Sequence, residues 1–295
     1  MKSGRNWRIR IASNKQAGDS IPSSRGREAK SHGKGVLMAK MGMQSVMNED
    51  SPVVILQSAA DHHPAWQSTC MQTVREWATI QGWQYQFTDD ALFTDLPSDF
   101  VKKVGHRTPI LADLGRLYWL RDTLKQLGGV AIWIDADTLC IDPAWRPGLP
   151  AHAAFGEEHW VQSEKAGGYR CFKTPHNAFM AFRAGNPILP FLIHVTESLI
   201  ERVDPTKMAP QMVGPKLLKA LHSLAHFELY PEAGALSPAL LNEIVTEPGA
   251  AVACYQASGA PMPAFLNLCA SLSDGYADQL LAVAQEPQRC AVLAG

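Results

Sequence analysis

The first regular pattern in the chain is a compact apolar run, Val53 to Leu56, closed by Gln57-Ser58. Apolar at every position, it predicts a strand buried on both faces. Pro64 stands where a first helical turn accepts it, and Cys70, Val74, Trp77 and Ala78 recur at helical spacing up to Gly82, which predicts a helix. Trp83 to Phe87 alternates apolar with polar residues, the mark of a second strand. Thr108-Pro109 is a helix start by residue type, and Ile110, Leu114, Leu117, Leu120, Leu124 and Leu127 carry an apolar stripe to Gly128-Gly129. Val130 to Ile134 is then a continuous apolar strand that breaks into Asp135-Ala136-Asp137-Thr138. Further on, the pattern predicts a strand over Ala178 to Phe182 and helices over Ile188 to Ile200, from Gly214-Pro215 through Leu221, and over Gln279 to Ala284. From Glu232 up to that last helix, Ala, Pro and Gly are frequent and no period emerges. Strand, helix, strand is the opening of a parallel α/β sheet.

Length and charge narrow the class. The 295 residues allow one large α/β domain or two modest ones, and a formal net charge of −1 argues against a dedicated nucleic-acid binder. That average hides an asymmetry. Residues 1–50 hold 10 Lys and Arg against 4 Asp and Glu, and the rest hold 17 against 24. The basic stretch, rich in Ser and Gly, is expected to be a disordered tail, with residues 51–295 as the folded domain. Such a tail is a solvated extension or a peripheral contact for anionic lipid. The chain has neither the apolar core of a secretory signal nor a run long enough to span a membrane. The six cysteines form no Cys-x-x-Cys pair, which fits free thiols in a reducing, cytoplasmic setting. His222 and His226 share a helix face but lack the glutamate of a zinc-protease motif, so they are expected to be ordinary surface or packing residues.

A geometric argument locates the chemistry. A helix that precedes a strand in an α/β layer runs antiparallel to it, so the helix start and the strand end meet at one sheet edge. From Asp113 to Leu127 the helix covers about 21 Å, and the strand from Val130 climbs back about 17 to 20 Å. Asp113 and Arg116, three apart and on one helix face, are therefore expected beside Asp135 and Asp137, where ligands of open α/β sheets bind. With one residue between them on an extended chain, the last two are expected to point the same way. Three carboxylates around one guanidinium call for more positive charge, and a divalent cation such as Mg²⁺ or Mn²⁺, carrying a diphosphate, would supply it. The plainer reading of Asp-x-Asp is a turn cap after a strand.

The run LADLGRLYWLRDTLKQLGGVAIWIDADTLCID from Leu111 resembles the core of the DXD-containing glycosyltransferases of the initiation-type mannosyltransferase family, and is similar to the catalytic domain of the large clostridial glucosylating toxins. NAFMAFRAGNPIL from Asn177 and VGPKLL from Val213 follow in the same order, so the resemblance spans about residues 53–222. It implies an α/β fold of GT-A type, a Rossmann-like nucleotide-sugar-binding sheet with flanking helices. It also implies hexose transfer with retention from a UDP- or GDP-sugar to a glycan, lipid-linked or protein acceptor, with Mn²⁺ or Mg²⁺. Asp113, Arg116, Asp135 and Asn177 would bind the donor sugar, Asp137 would ligate the metal, and Asp135 with Asp137 would be the catalytic pair. Gly214 and Lys216 are a candidate phosphate contact, or simply a helix start. A third protein ligand has no candidate, and the acceptor side, about residues 223–295, carries no readable motif. Three other readings stay open: a glycogenin-like transferase with an almost identical Asp-Ala-Asp block, a haloacid-dehalogenase-like phosphatase with Asp135 as nucleophile, and a silent sugar-binding homologue.

Overall fold

In the computed structural model, which describes residues 51–270 and 273–295, β1 (Val53–Ser58) leads through α1 (Ala65–Gln81) to a parallel neighbour, β2 (Gln84–Thr88). There follow α2 (Ser98–Val104), α3 (Thr108–Leu127), β3 (Val130–Ile134), β4 (Thr138–Cys140), β5 (Ala153–Ser163) and β6 (Tyr169–Arg183). The chain then makes α4 (Ile188–Arg202), α5 (Pro215–Ala225), β7 (Glu228–Tyr230), β8 (Ala233–Ala235), α6 (Pro238–Val245), α7 (Ala250–Ala257), β9 (Phe265–Asn267) and α8 (Ser273–Gln285). The expected tail, residues 1–50, lies outside the described residues.

The result is a mixed α/β architecture. A six-stranded sheet runs in the order β2-β1-β3-β6-β5-β7, and a three-stranded sheet in the order β4-β9-β8. β1 is parallel to both neighbours, whereas β3 meets β6 antiparallel. The all-apolar reading of β1 and β3 is explained by burial on two sides. Val54, Leu56, Ala131 and Trp133 face one core with α3 and α4, while Val53, Ile55, Ile132 and Ile134 face another with α1 and Phe265 of the small sheet. A third apolar cluster joins the start of α1 to α6, α7 and α8.

Two junctions set the level of the sheet edge. Gly128 ends α3 in the left-handed conformation, and a Cβ on Gly129 would lie 1.9 Å from the Pro52 carbonyl oxygen, so only glycine lets the chain enter β3 this close to β1. On β6 the register jumps. Phe155 pairs Met180 but the next residue, Gly156, pairs His176, so Asn177 to Phe179 bulge out of the β5 ladder beside the end of β3. Beyond that bulge β5 and β6 continue as a hairpin past the sheet edge.

Several elements differ from the sequence pattern. β5 has no counterpart in it, because Gly156-Glu157-Glu158-His159 interrupts its apolar run, and β6 begins well before the expected Ala178. The chain also does not stay extended through Asp137. It turns at once, the Thr138 N–H donating to the Asp135 carbonyl at 3.0 Å, and β4 starts in the small sheet. Among the described residues no helix is long and apolar enough to cross a membrane.

Candidate functional site

Arg116 is the centre of the site, 8% exposed on α3. Its Nη1 donates to Asp135 Oδ1 at 2.9 Å and to the Asn177 carbonyl at 3.0 Å, its Nε to the Ala112 carbonyl at 3.2 Å, and its Nη2 pairs with Asp113 Oδ1 at 3.2 Å. Four of the five guanidinium N–H groups are thus engaged inside the protein. Asn177, carried out by the bulge, donates to Asp113 Oδ1 at 2.7 Å. The Trp133 indole donates to Asp135 Oδ1 at 2.6 Å and lies beneath the guanidinium, 5.2 Å from centroid to Cζ. Helix, strand end and bulge therefore bring Asp113, Arg116, Asp135 and Asn177 together, the first three as the antiparallel argument expects.

Asp137 belongs to the same cleft but is held from the other side. The expected extended path through Asp137 fails, because the turn after Ile134 hands Asp137 to the small sheet. The Asn267 Nδ2 donates to Asp137 Oδ1 at 2.6 Å, and the Ala270 N–H donates to Oδ2 at 2.6 Å. The Leu268 N–H donates to the Asp137 carbonyl at 2.9 Å, and Cys269 between them takes φ 53°. That left-handed residue is strained for a non-glycine. It is what turns the N–H groups of residues 268 and 270 onto one aspartate.

A cleft of about 340 Å³ opens over these groups, lined by Arg116, Trp133, Asp135, Asp137 and Ala270 and bounded by Ser58 and Asp90 at the ends of the parallel strands. Asp113 and Asn177 are not in its lining and back up Arg116. Gly214, at the start of α5, packs on both: a Cβ there would stand 2.9 Å from Asn177 Nδ2 and 3.0 Å from Asp113 Oδ2. Lys216 is exposed and forms no ion pair among the described residues. Gly214→Ala is expected to cost about 1–3 kcal/mol by crowding this network. Thermal unfolding checks it, and an unchanged melting temperature would show that the network yields freely.

The electrostatics are unbalanced. Three carboxylates share one guanidinium, and no other Lys or Arg among the described residues forms an ion pair with them. Burial pushes the Asp113 carboxyl up to about 6, with Arg116 pulling it down and Asp135 pushing it further up. Burial likewise pushes Asp137 up to about 6, reinforced by the Asp135 charge and opposed by the hydrogen bonds from Ala270 and Asn267. Arg116 loses by burial, but Asp135 and Asp113 more than restore its charge and hold it above its ordinary value.

A divalent cation fits this donor set. Asp135 Oδ2 receives no hydrogen bond among the described residues, both aspartates line the cleft, and the local excess is two negative charges. Among the described residues no three His, Cys, Asp or Glu side chains gather closely enough to cage a metal alone. The residues absent from the sequence reading are Asn267, Ala270 and Trp133. Asn267 alone left a trace, a single amide inside the apolar run Ala264 to Leu268.

No protein-family model matches the chain, and no curated protein sequence matches it. Among solved structures, the fold is similar to a glycosyltransferase involved in the glycosylation of the major capsid of PBCV-1. Identity is 10% and the TM-score 0.41, over 79% of this chain and 100% of that one. At that distance only a broad likeness of chain path is shared.

Proposed function

We propose that the chain is a metal-dependent glycosyltransferase that moves a hexose, with retention, from a UDP- or GDP-sugar to a hydroxyl acceptor. The observation that carries this reading is the cleft at the carboxyl ends of β1 and β3, where Arg116, Asp135 and Asp137 converge with two negative charges in excess. In the reaction the bond from the anomeric carbon to the diphosphate oxygen breaks, the acceptor oxygen bonds that carbon, and the acceptor proton leaves with the diphosphate. Mn²⁺ or Mg²⁺ held by Asp137 and the free oxygen of Asp135 would neutralise charge developing on the diphosphate. The chain's own part is preorganisation. Arg116 clamps Asp135 and presents its remaining N–H to the donor sugar. Asp113 and the Asn177 carbonyl hold that guanidinium in register, and Asn267 with the Ala270 N–H aims Asp137.

The test is thermal shift against UDP, GDP and their glucose, mannose and galactose conjugates, with Mn²⁺ and with chelator, followed by assay of nucleotide diphosphate release. At least one nucleotide-sugar is expected to raise the melting temperature only when Mn²⁺ is present, since a ligand of the native state alone stabilises it. No such shift across the panel would overturn the reading, and the anomeric proton coupling of the product decides retention.

A further inference from the structure

The β5–β6 hairpin overhangs the site. Ile134 pairs Phe179 at the end of β3, whereas β5 and β6 go on pairing each other from Gly156 with His176 out to Ser163 with Tyr169. At about 3.3 Å per residue the overhang is on the order of 25 Å long. Directly opposed residues of an antiparallel pair share a face, and the faces alternate along each strand. One face carries Glu157, His159, Val161 and Cys171 and is covered. The Ser258 hydroxyl lies 2.8 Å from His159 Nδ1, the His159 ring is 6.0 Å from that of Tyr255 on α7, and Val161 joins the apolar cluster of α6 to α8.

The opposite face carries Glu158 with Thr174, then Trp160 with Phe172, all partly exposed. Among the described residues Glu158 has no hydrogen-bond or ion-pair partner. Its charge acts, with those of Asp137 and Asp135 and after burial, to raise the Cys269 thiol well above its ordinary value. Burial pushes the Glu158 carboxyl up to about 7, against the pull of Lys219. An unpartnered carboxyl in such a place costs stability unless something binds it.

The sequence of groups outward from the transfer point is therefore a carboxyl, a hydroxyl, an indole and a phenyl ring on one face, one side of the phenyl ring being met by Arg170 at 5.0 Å. Sugars match this order. Their hydroxyls donate to a carboxylate, and their C–H faces lie against aromatic rings, whose faces are electron-rich. Resting on the donor reading above, we propose that the overhanging hairpin is the acceptor wall, with Glu158 hydrogen-bonding a hydroxyl of a carbohydrate acceptor and Trp160 and Phe172 carrying the apolar face of its sugar.

The test uses the full chain and the methyl α- and β-glycosides of glucose, mannose and galactose as probes, read by saturation-transfer NMR, which needs no donor. Wild type is expected to transfer saturation to at least one glycoside. Glu158→Gln, nearly isosteric, is expected to weaken glycoside binding at least tenfold more than it weakens binding of the nucleotide diphosphate with Mn²⁺. Trp160→Phe is expected to keep most of the signal and Trp160→Ala to lose it, with melting curves recorded for each. No transfer to any of the six glycosides, or equal loss of glycoside and nucleotide affinity in Glu158→Gln, overturns the assignment. Glycoside binding that depends on Glu158 in a chain that binds no nucleotide-sugar upholds the carbohydrate site and overturns the donor reading instead.

Discussion

Arg116→Met is expected to lose about 3–5 kcal/mol of stability, the range for removing one partner of a buried charge pair. For a domain of this size that is a fall on the order of 10 °C in melting temperature. The reason is the surroundings: Asp113 is 7% exposed, and with Arg116 gone neither it nor Asp135 keeps a cation within an ion-pair distance. The pH dependence gives the effect its signature. Asp113 is raised to about 6 even with Arg116 present, and losing that charge raises it further. A carboxyl raised in the folded state contributes stability below its unfolded value, near 4, and loses it as pH rises through the folded value. The deficit of the variant should therefore be small near pH 4 and grow through pH 6 and beyond. A deficit that is equal at pH 4 and pH 8, or below 1 kcal/mol throughout, would mean that the guanidinium is no more than a surface-grade partner.

Asp137→Asn should do the opposite to stability while abolishing function. Asp137 is raised to about 6, so at pH 8 its ionised form is a cost to the native state that an amide does not carry, and the melting temperature at pH 8 without metal is expected to rise. At pH 5 the gain should vanish or reverse, because the amide can accept from only one of the two donors, Asn267 or the Ala270 N–H. Under the proposed function, turnover should fall by roughly 100- to 1000-fold, the scale for removing one element of electrostatic preorganisation. Stabilisation by Mn²⁺ in the presence of nucleotide diphosphate should disappear with it. Retained turnover, or a melting temperature that falls equally at both pH values, would remove Asp137 from the metal site.

The helix-to-strand block was legible because its determinants are local. A stripe of leucines, a Gly-Gly stop and an apolar strand together fix the level at which Arg116 meets Asp135, and the antiparallel geometry of helix and strand does the rest. The other half of the site was hidden because Asn267 lies 130 residues beyond Asp137. It sits on a three-residue strand in a stretch whose helices, α6 and α7, are eight residues each and too short to show a period. The expected extended path through Asp137 failed for a single reason. Alternation holds only while a chain stays extended, and Asp135 to Thr138 is a turn. β5 was missed for a related reason: its middle residues are polar because they overhang the core, so the pattern there reports a local surface.

Asp135 hangs from the large sheet and Asp137 from the small one, so the distance between their oxygens is a property of how the two sheets are spaced. An aromatic layer joins the two sheets. Phe265 of β9 meets Trp77 at 4.7 Å and Phe179 at 5.5 Å between ring centroids. Selectivity among divalent ions follows cavity size and ligand flexibility. Under the proposed metal-dependent function it would therefore be a mechanical quantity: trimming a ring in that layer would retune the bite of the two aspartates without touching either of them.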